Sequence, residues 1–160
     1  IAAAGNGFSI DLKYYRETVD EINRINREES AEGTPLSLGD KIIASYTIHN
    51  DENRSFVKIS ASFPAALRIE NQFSGHWGWA FRGINYPGML MIINTQAYRD
   101  VRKDHIDYYL DVMPEENNTY EEVFFVSQEG TFTSPVLTVE SLYAPEYRAN
   151  SAFRTPLEVQ

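Results

Sequence analysis

At 160 residues the chain is long enough for one domain and short for two. A domain of this size buries about 70% of the surface its unfolded chain exposes, so it needs neither disulfide nor metal to hold a core. The absence of cysteine excludes disulfides, thiolate metal sites and cysteine nucleophiles, and a net charge of -9 argues against partners such as nucleic acid and anionic lipid.

The first element in chain order is a strand over 8–16, where Phe8, Ile10, Leu12 and Tyr14 share one face. A charged connection follows over 17–33. Thr18 and Glu21 are spaced as a capping box, and Val19, Ile22 and Ile25 recur every third residue, so the pattern predicts a short surface helix there. Pro35 to Asp40 reads as a turn. The strand 41–49 places Ile42, Ala44, Tyr46 and Ile48 on one face. After the polar turn 49–53, the strand 55–62 turns Val57, Ile59 and Ala61 inward, and Pro64 limits its continuation.

Residues 71–88 are rich in glycine and aromatics, and a long irregular loop is expected. Strands resume over 89–95 and 104–113, the second with Ile106, Tyr108, Leu110 and Val112 on one face. A polar turn at 114–119 leads into the strand 120–127, and Glu129-Gly130 turns the chain into 131–143. Short strands separated by turns predict an all-β protein, a two-sheet antiparallel β-sandwich, with the short helix in the 17–33 connection.

Chemistry-bearing motifs are lacking. His49, His76 and His105 have no partner at metal-motif spacing, and neither a nucleophile elbow nor a Walker loop occurs. No cofactor or metal is implied. Asp107, Asp111, Glu121 and Glu122 are the acidic pairs that a glycosidase would need, but they alternate with apolar residues and read as a solvated strand face. Trp77 and Trp79 share parity in an extended segment and, with Tyr86, would form an aromatic contact surface. That surface fits a carbohydrate- or protein-binding module of an envelope protein, or burial against a neighbouring domain. The two sequons at Asn53 and Asn117 read as turn sequences. No run of about 18 apolar residues is present, so direct membrane insertion by a helix of this domain is not expected.

Several pieces, in order, resemble the last domain of bacterial alpha-2-macroglobulins. Leu38-Gly39-Asp40-Lys41 is similar to the family's lead-in to a strand, and Phe63-Pro64-Ala65 with Ile69-Glu70-Asn71 to the stretch after its next strand. Tyr98-Arg99-Asp100 with Arg102 resembles a charged family element. Tyr120 to Phe132 resembles a strand and turn, and Leu142-Tyr143-Ala144-Pro145-Glu146-Tyr147-Arg148-Ala149 the family's Met-Tyr tail, the most specific piece. The sequence departs from the pattern at Glu129-Gly130 (Pro-Gly), Ala66 (Gly) and Leu142 (Met), and its 17–33 connection is long.

The resemblance implies that residues 1–160 are a single C-terminal macroglobulin-like domain cut from a much larger protein; the opening IAAAGNG, without a starting Met, agrees with such a cut. It implies no enzyme activity. The parent would be a periplasmic envelope protein, in some members a lipoprotein, that traps host or foreign peptidases. The partners of this domain would be the neighbouring domains of the same chain. Where the parent carries a thioester, the resemblance makes Tyr143, with Leu142 beside it, a shield of that bond, and extends the interdomain surface to Pro145, Glu146 and Arg148.

Overall fold

A computed structural model describes residues 4–70, 75–82, 90–113, 115, 117–151 and 156–160; for 75–82 and 90–97 the description is of the backbone. Among the described residues there are fourteen strands and no helix. In chain order they are β1 (Ala4–Asn6), β2 (Phe8–Val19), β3 (Ile25–Glu29), β4 (Lys41–Asn50), β5 (Arg54–Ser62), β6 (Leu67–Ile69), β7 (Gly75–Arg82), β8 (Leu90–Val101), β9 (His105–Met113), β10 (Asn117–Val126), β11 (Gly130–Phe132), β12 (Leu137–Ser141), β13 (Arg148–Asn150) and β14 (Leu157–Val159).

They form a seven-stranded sheet in the order β1-β13-β12-β5-β9-β8-β7, a five-stranded sheet in the order β3-β2-β4-β10-β6, and the small pair β11-β14. Every pairing between these strands is antiparallel. The alternation read from the sequence sets the inner faces. Opposite residues of an antiparallel pair share a face. Ile59 therefore faces inward with Tyr108 on one side and Val139 on the other, and Tyr46 faces inward with Leu12 and Tyr120. Ile42, Ile48, Ile59, Ile106, Tyr108, Leu110, Phe124 and Leu137 are all almost fully buried, in one hydrophobic cluster between the sheets. This is the expected antiparallel β-sandwich.

The 17–33 connection is a hairpin and not a helix. β2 runs on to Val19 and pairs with β3 from Val19↔Ile25 to Tyr15↔Glu29. Asp20 builds the turn. Its carboxylate accepts the N–H groups of Ile22 (3.0 Å) and Arg24 (2.8 Å), and Asn23 takes the left-handed conformation at φ 61°. The apolar residues at every third position have no surface to bury. Val19, Ile22 and Ile25 are each more than 60% exposed, and an amphipathic helix gains its stability from a buried face. Charge pairs across strands favour the hairpin instead. Arg27 contacts Glu17 at 3.1 Å and reaches Glu121 of β10 at 2.8 Å.

Two further expectations are corrected. Residues 75–82, expected within an irregular loop, form β7, an edge strand whose register with β8 shifts between Gly78 and Ala80. Val112, expected to face inward with Leu110, is 52% exposed, while Met113 is fully buried. The alternation slips at the same register in both paired strands: Ser55 and Phe56 of β5 are both exposed, as are Asp111 and Val112 of β9. Phe56 has φ 58°, a left-handed backbone that breaks the pleat there.

Candidate functional site

The tail that carried the resemblance is the loop between β12 and β13, closed as a β-hairpin. Ser141 N–H donates to the carbonyl of Tyr147 at 3.0 Å, and Tyr147 N–H to the carbonyl of Ala144 at 2.9 Å. The second bond closes a four-residue turn with Pro145 in its second position, where the fixed φ of proline fits. The loop is anchored sideways as well, because Leu142 N–H donates to the carbonyl of Phe56 at 2.9 Å. Above these bonds Tyr143 stands 79% exposed and Leu142 42% exposed. The Tyr143 ring meets the Phe56 ring edge to face, with centroids 4.9 Å apart and planes at 82°.

The base of the loop is held by a buried cation. Arg54 is 7% exposed, with its guanidinium 4.1 Å from the centroid of Tyr147 and 5.1 Å from that of Phe8. Its Nε donates to Asn50 Oδ1 at 3.1 Å, and its two terminal nitrogens reach Asp51 at 2.6 Å and Glu52 at 3.2 Å. Gly7, at φ 79°, passes against this stack so closely that a Cβ there would lie 2.6 Å from Arg54 Nη2 and 3.0 Å from Tyr147 Cδ1. Asn6 adds a side-chain hydrogen bond to the carbonyl of Glu146 at 2.9 Å. The start of the chain, the β4–β5 turn and the tail are thus joined at one point.

The structure groups Leu142, Tyr143, Pro145 and Glu146 on this loop. Arg148 lies beyond it on β13, in register with Glu140 and Asn6, beside a shallow polar groove that Lys58 also lines. The residues expected to form an aromatic contact surface lie elsewhere in the chain, and the side chains of Trp77 and Trp79 are outside the described residues. Trp77 and Trp79 lie on β7, the far edge of the seven-stranded sheet, with β5, β9 and β8 between it and the tail hairpin. Tyr86 falls outside the described residues. Sequence reasoning passed over Phe56, Arg54 and Gly7. An aromatic at an outward position in β5 was the signal for Phe56, but nothing in composition marks a left-handed residue that is not glycine.

The acidic pairs also need correction. Glu121 lies on the outer face, but Glu122 is only 7% exposed and points between the sheets. It accepts two bonds from Arg99, Nε to Oε1 at 2.8 Å and Nη2 to Oε2 at 3.1 Å, and a hydrogen bond from the Tyr108 hydroxyl. Burial, with the Glu122 charge beside them, pushes the Tyr46 and Tyr108 phenols well above the ordinary range. Asp107 is also buried, at 8% exposure, with one oxygen 3.5 Å from His105 Nε2. Glu122 serves an ion pair inside the core.

The family model for the bacterial alpha-2-macroglobulin MG10 domain matches residues 7–146. No curated protein matches the chain. Among solved structures, native Escherichia coli alpha-2-macroglobulin from domain MG7 to its C-terminus is similar over 99% of this chain and 24% of that one, at 18% identity and a TM-score of 0.70. Salmonella alpha-2-macroglobulin reacted with methylamine is similar over 100% and 10%, at 20% identity and a TM-score of 0.68. The E. coli protein activated by porcine elastase is similar over 100% and 14%, at 17% identity and a TM-score of 0.69. The chain therefore spans a quarter or less of each of these proteins.

Proposed function

We propose, from the premise that this chain belongs to the bacterial alpha-2-macroglobulin MG10 domain family, that it is a non-catalytic packing domain of a larger peptidase-trapping protein of the periplasm. In this reading it stands at the C-terminal end of its parent and docks on a neighbouring domain through the 142–147 loop. Tyr143 covers a reactive thioester carried by that neighbour, with Leu142 at its side and Pro145, Glu146 and Arg148 around the contact. The thioester belongs to the neighbour because this chain has no cysteine to form one.

The observation that carries the reading is the posture of Tyr143. A tyrosine 79% exposed on a loop held by Phe56 and Arg54 is both available and ordered. An exposed ring on a fixed loop docks with little loss of side-chain entropy, and a flat ring keeps water from a bond that hydrolyses. The elastase-activated and methylamine-reacted relatives support a parent that meets peptidases and carries an electrophile open to amines.

Hydroxyl-radical footprinting tests the docking. Tyr143 should be modified rapidly in the 160-residue chain and slowly in the full-length parent. Equal rates would refute the docked posture. In a thioester-bearing parent, Tyr143→Ala should shorten the life of the thioester in water; an unchanged lifetime would remove the shielding role and leave the docking role standing.

A further inference from the structure

Phe56 has a backbone its residue type rarely adopts and a side chain in an exposed place. At φ 58° it lies in the left-handed region, uncommon for any residue but glycine and an outlier for a bulky one. The residue is 45% exposed, so burial does not account for the conformation. Two contacts to the tail loop meet at this residue. The Phe56 carbonyl accepts Leu142 N–H at 2.9 Å, fixing the residue next to Tyr143, and the Phe56 ring meets the Tyr143 ring edge to face at 4.9 Å. Alternation from the buried Val57 already places Phe56 outward; the slip falls on Ser55, exposed where the pattern would bury it, and on Val112, which pairs with it across the ladder. Residues held in such sparsely populated backbone regions cluster at ligand clamps and other functional sites.

We propose that Phe56 is the positioning residue of Tyr143: its outward ring and its carbonyl, presented from a left-handed backbone, form a buttress that holds Tyr143 upright for an apolar pocket on a neighbouring domain of the same polypeptide. The occupant is a neighbouring domain because the solved relatives are at least four times longer than the region they share with this chain. The two rings, with Leu142 beside them, offer an apolar knob without a charge of its own. The inference rests on the docking reading above, and it adds that docking depends on Phe56, a residue of another strand.

The test uses the full-length parent and the rate of Tyr143 modification by hydroxyl radicals. Phe56→Gly suits the left-handed backbone and keeps the carbonyl while deleting the ring. Phe56→Tyr keeps the ring. If Phe56 positions Tyr143, Phe56→Gly should raise the modification rate of Tyr143 by roughly two- to tenfold, the shift in a docking equilibrium expected from one edge-to-face ring pair. Phe56→Tyr should restore the wild-type rate. A Phe56→Gly parent whose Tyr143 stays as protected as in the wild type would overturn the inference and leave the docking reading intact. A wild-type parent whose Tyr143 is as reactive as in the 160-residue chain overturns the docking reading itself, and the inference with it. Circular dichroism of each variant separates loss of positioning from loss of fold: a two- to tenfold rise with an unchanged spectrum supports the inference, and a rise with unfolding counts against it.

Discussion

Arg99 of β8 and Glu122 of β10 meet as a two-pronged ion pair in the space between the sheets, one contributed by each layer. Tyr108 adds a third bond to the same carboxylate. Burial alone would lower the Arg99 guanidinium, but the hydrogen bonds and charge of Glu122 outweigh it and hold it above its ordinary value. Such a pair tolerates only one relative placement of the two sheets, because a shift by one residue would leave a charge in an apolar core. Its net contribution to stability is small, since desolvation offsets most of the attraction. Its expected worth is in fixing the register of the two sheets.

The two halves of the pair should therefore be far from additive. Arg99→Met leaves the Glu122 carboxylate buried without its cation and is expected to cost about 3–5 kcal/mol in urea unfolding. Glu122→Leu should also be destabilising, because it removes the carboxylate to which Arg99 Nε and Nη2 both donate. The double variant should recover most of that loss, because two apolar residues of similar volume suit the surrounding Ile and Leu side chains. If either single change costs less than about 1 kcal/mol, solvent reaches the pair and the register role is wrong.

Glu17 gives the hairpin a defined pH response. Burial would raise its carboxyl, but hydrogen bonds and charge from Lys41 and Arg27 overcome this and hold it below the ordinary carboxylate range. A carboxyl depressed in the folded state stabilises above its unfolded pKa, and that contribution is lost as pH falls through the folded value. Wild-type protein should thus lose more stability than Glu17→Gln between about pH 5 and pH 3. Thermal unfolding across that range checks it; parallel curves for the two proteins would show that the Lys41 and Arg27 contacts are solvated.

Where the sequence was legible, the reason was alternation against a buried face. Ile42, Ala44, Tyr46 and Ile48 share a parity, and all four are buried. The helix expected over 17–33 failed because spacing alone cannot say whether a surface exists for the apolar face to meet. The turn chemistry was already visible in Asp20 and Asn23, which build the hairpin. Glu122 was legible in part: it shares parity with Tyr120, Phe124 and Val126, all buried, so a charge in that series marks an inward position. Its partner lies 23 residues away on another sheet, and no local pattern names it. The tail motif led to Tyr143, but the residues that hold it, Phe56 and Arg54, are distant in sequence and were found only in three dimensions.

Gly7 should be as sensitive as any core position although it buries no side chain. At φ 79° an L side chain is strained, and a Cβ would lie 2.6 Å from Arg54 Nη2 and 3.0 Å from Tyr147 Cδ1. Arg54 is held by Asn50, Asp51 and two rings, so it has little freedom to move aside. Gly7→Ala is expected to cost about 1–3 kcal/mol, the range for a non-glycine residue forced into the left-handed region. Tyr147→Ala alone removes a cation–π contact and should cost about 0.5–2 kcal/mol. If the clash with Arg54 and Tyr147 contributes to the cost at Gly7, the combined variant should lose clearly less than the two costs added, because removing the ring opens space for the methyl group. Strict additivity in urea unfolding would assign the whole effect to the backbone at Gly7 and none to the stack. A sub-additive result would show that Gly7 and the tail loop share one packed joint around Arg54.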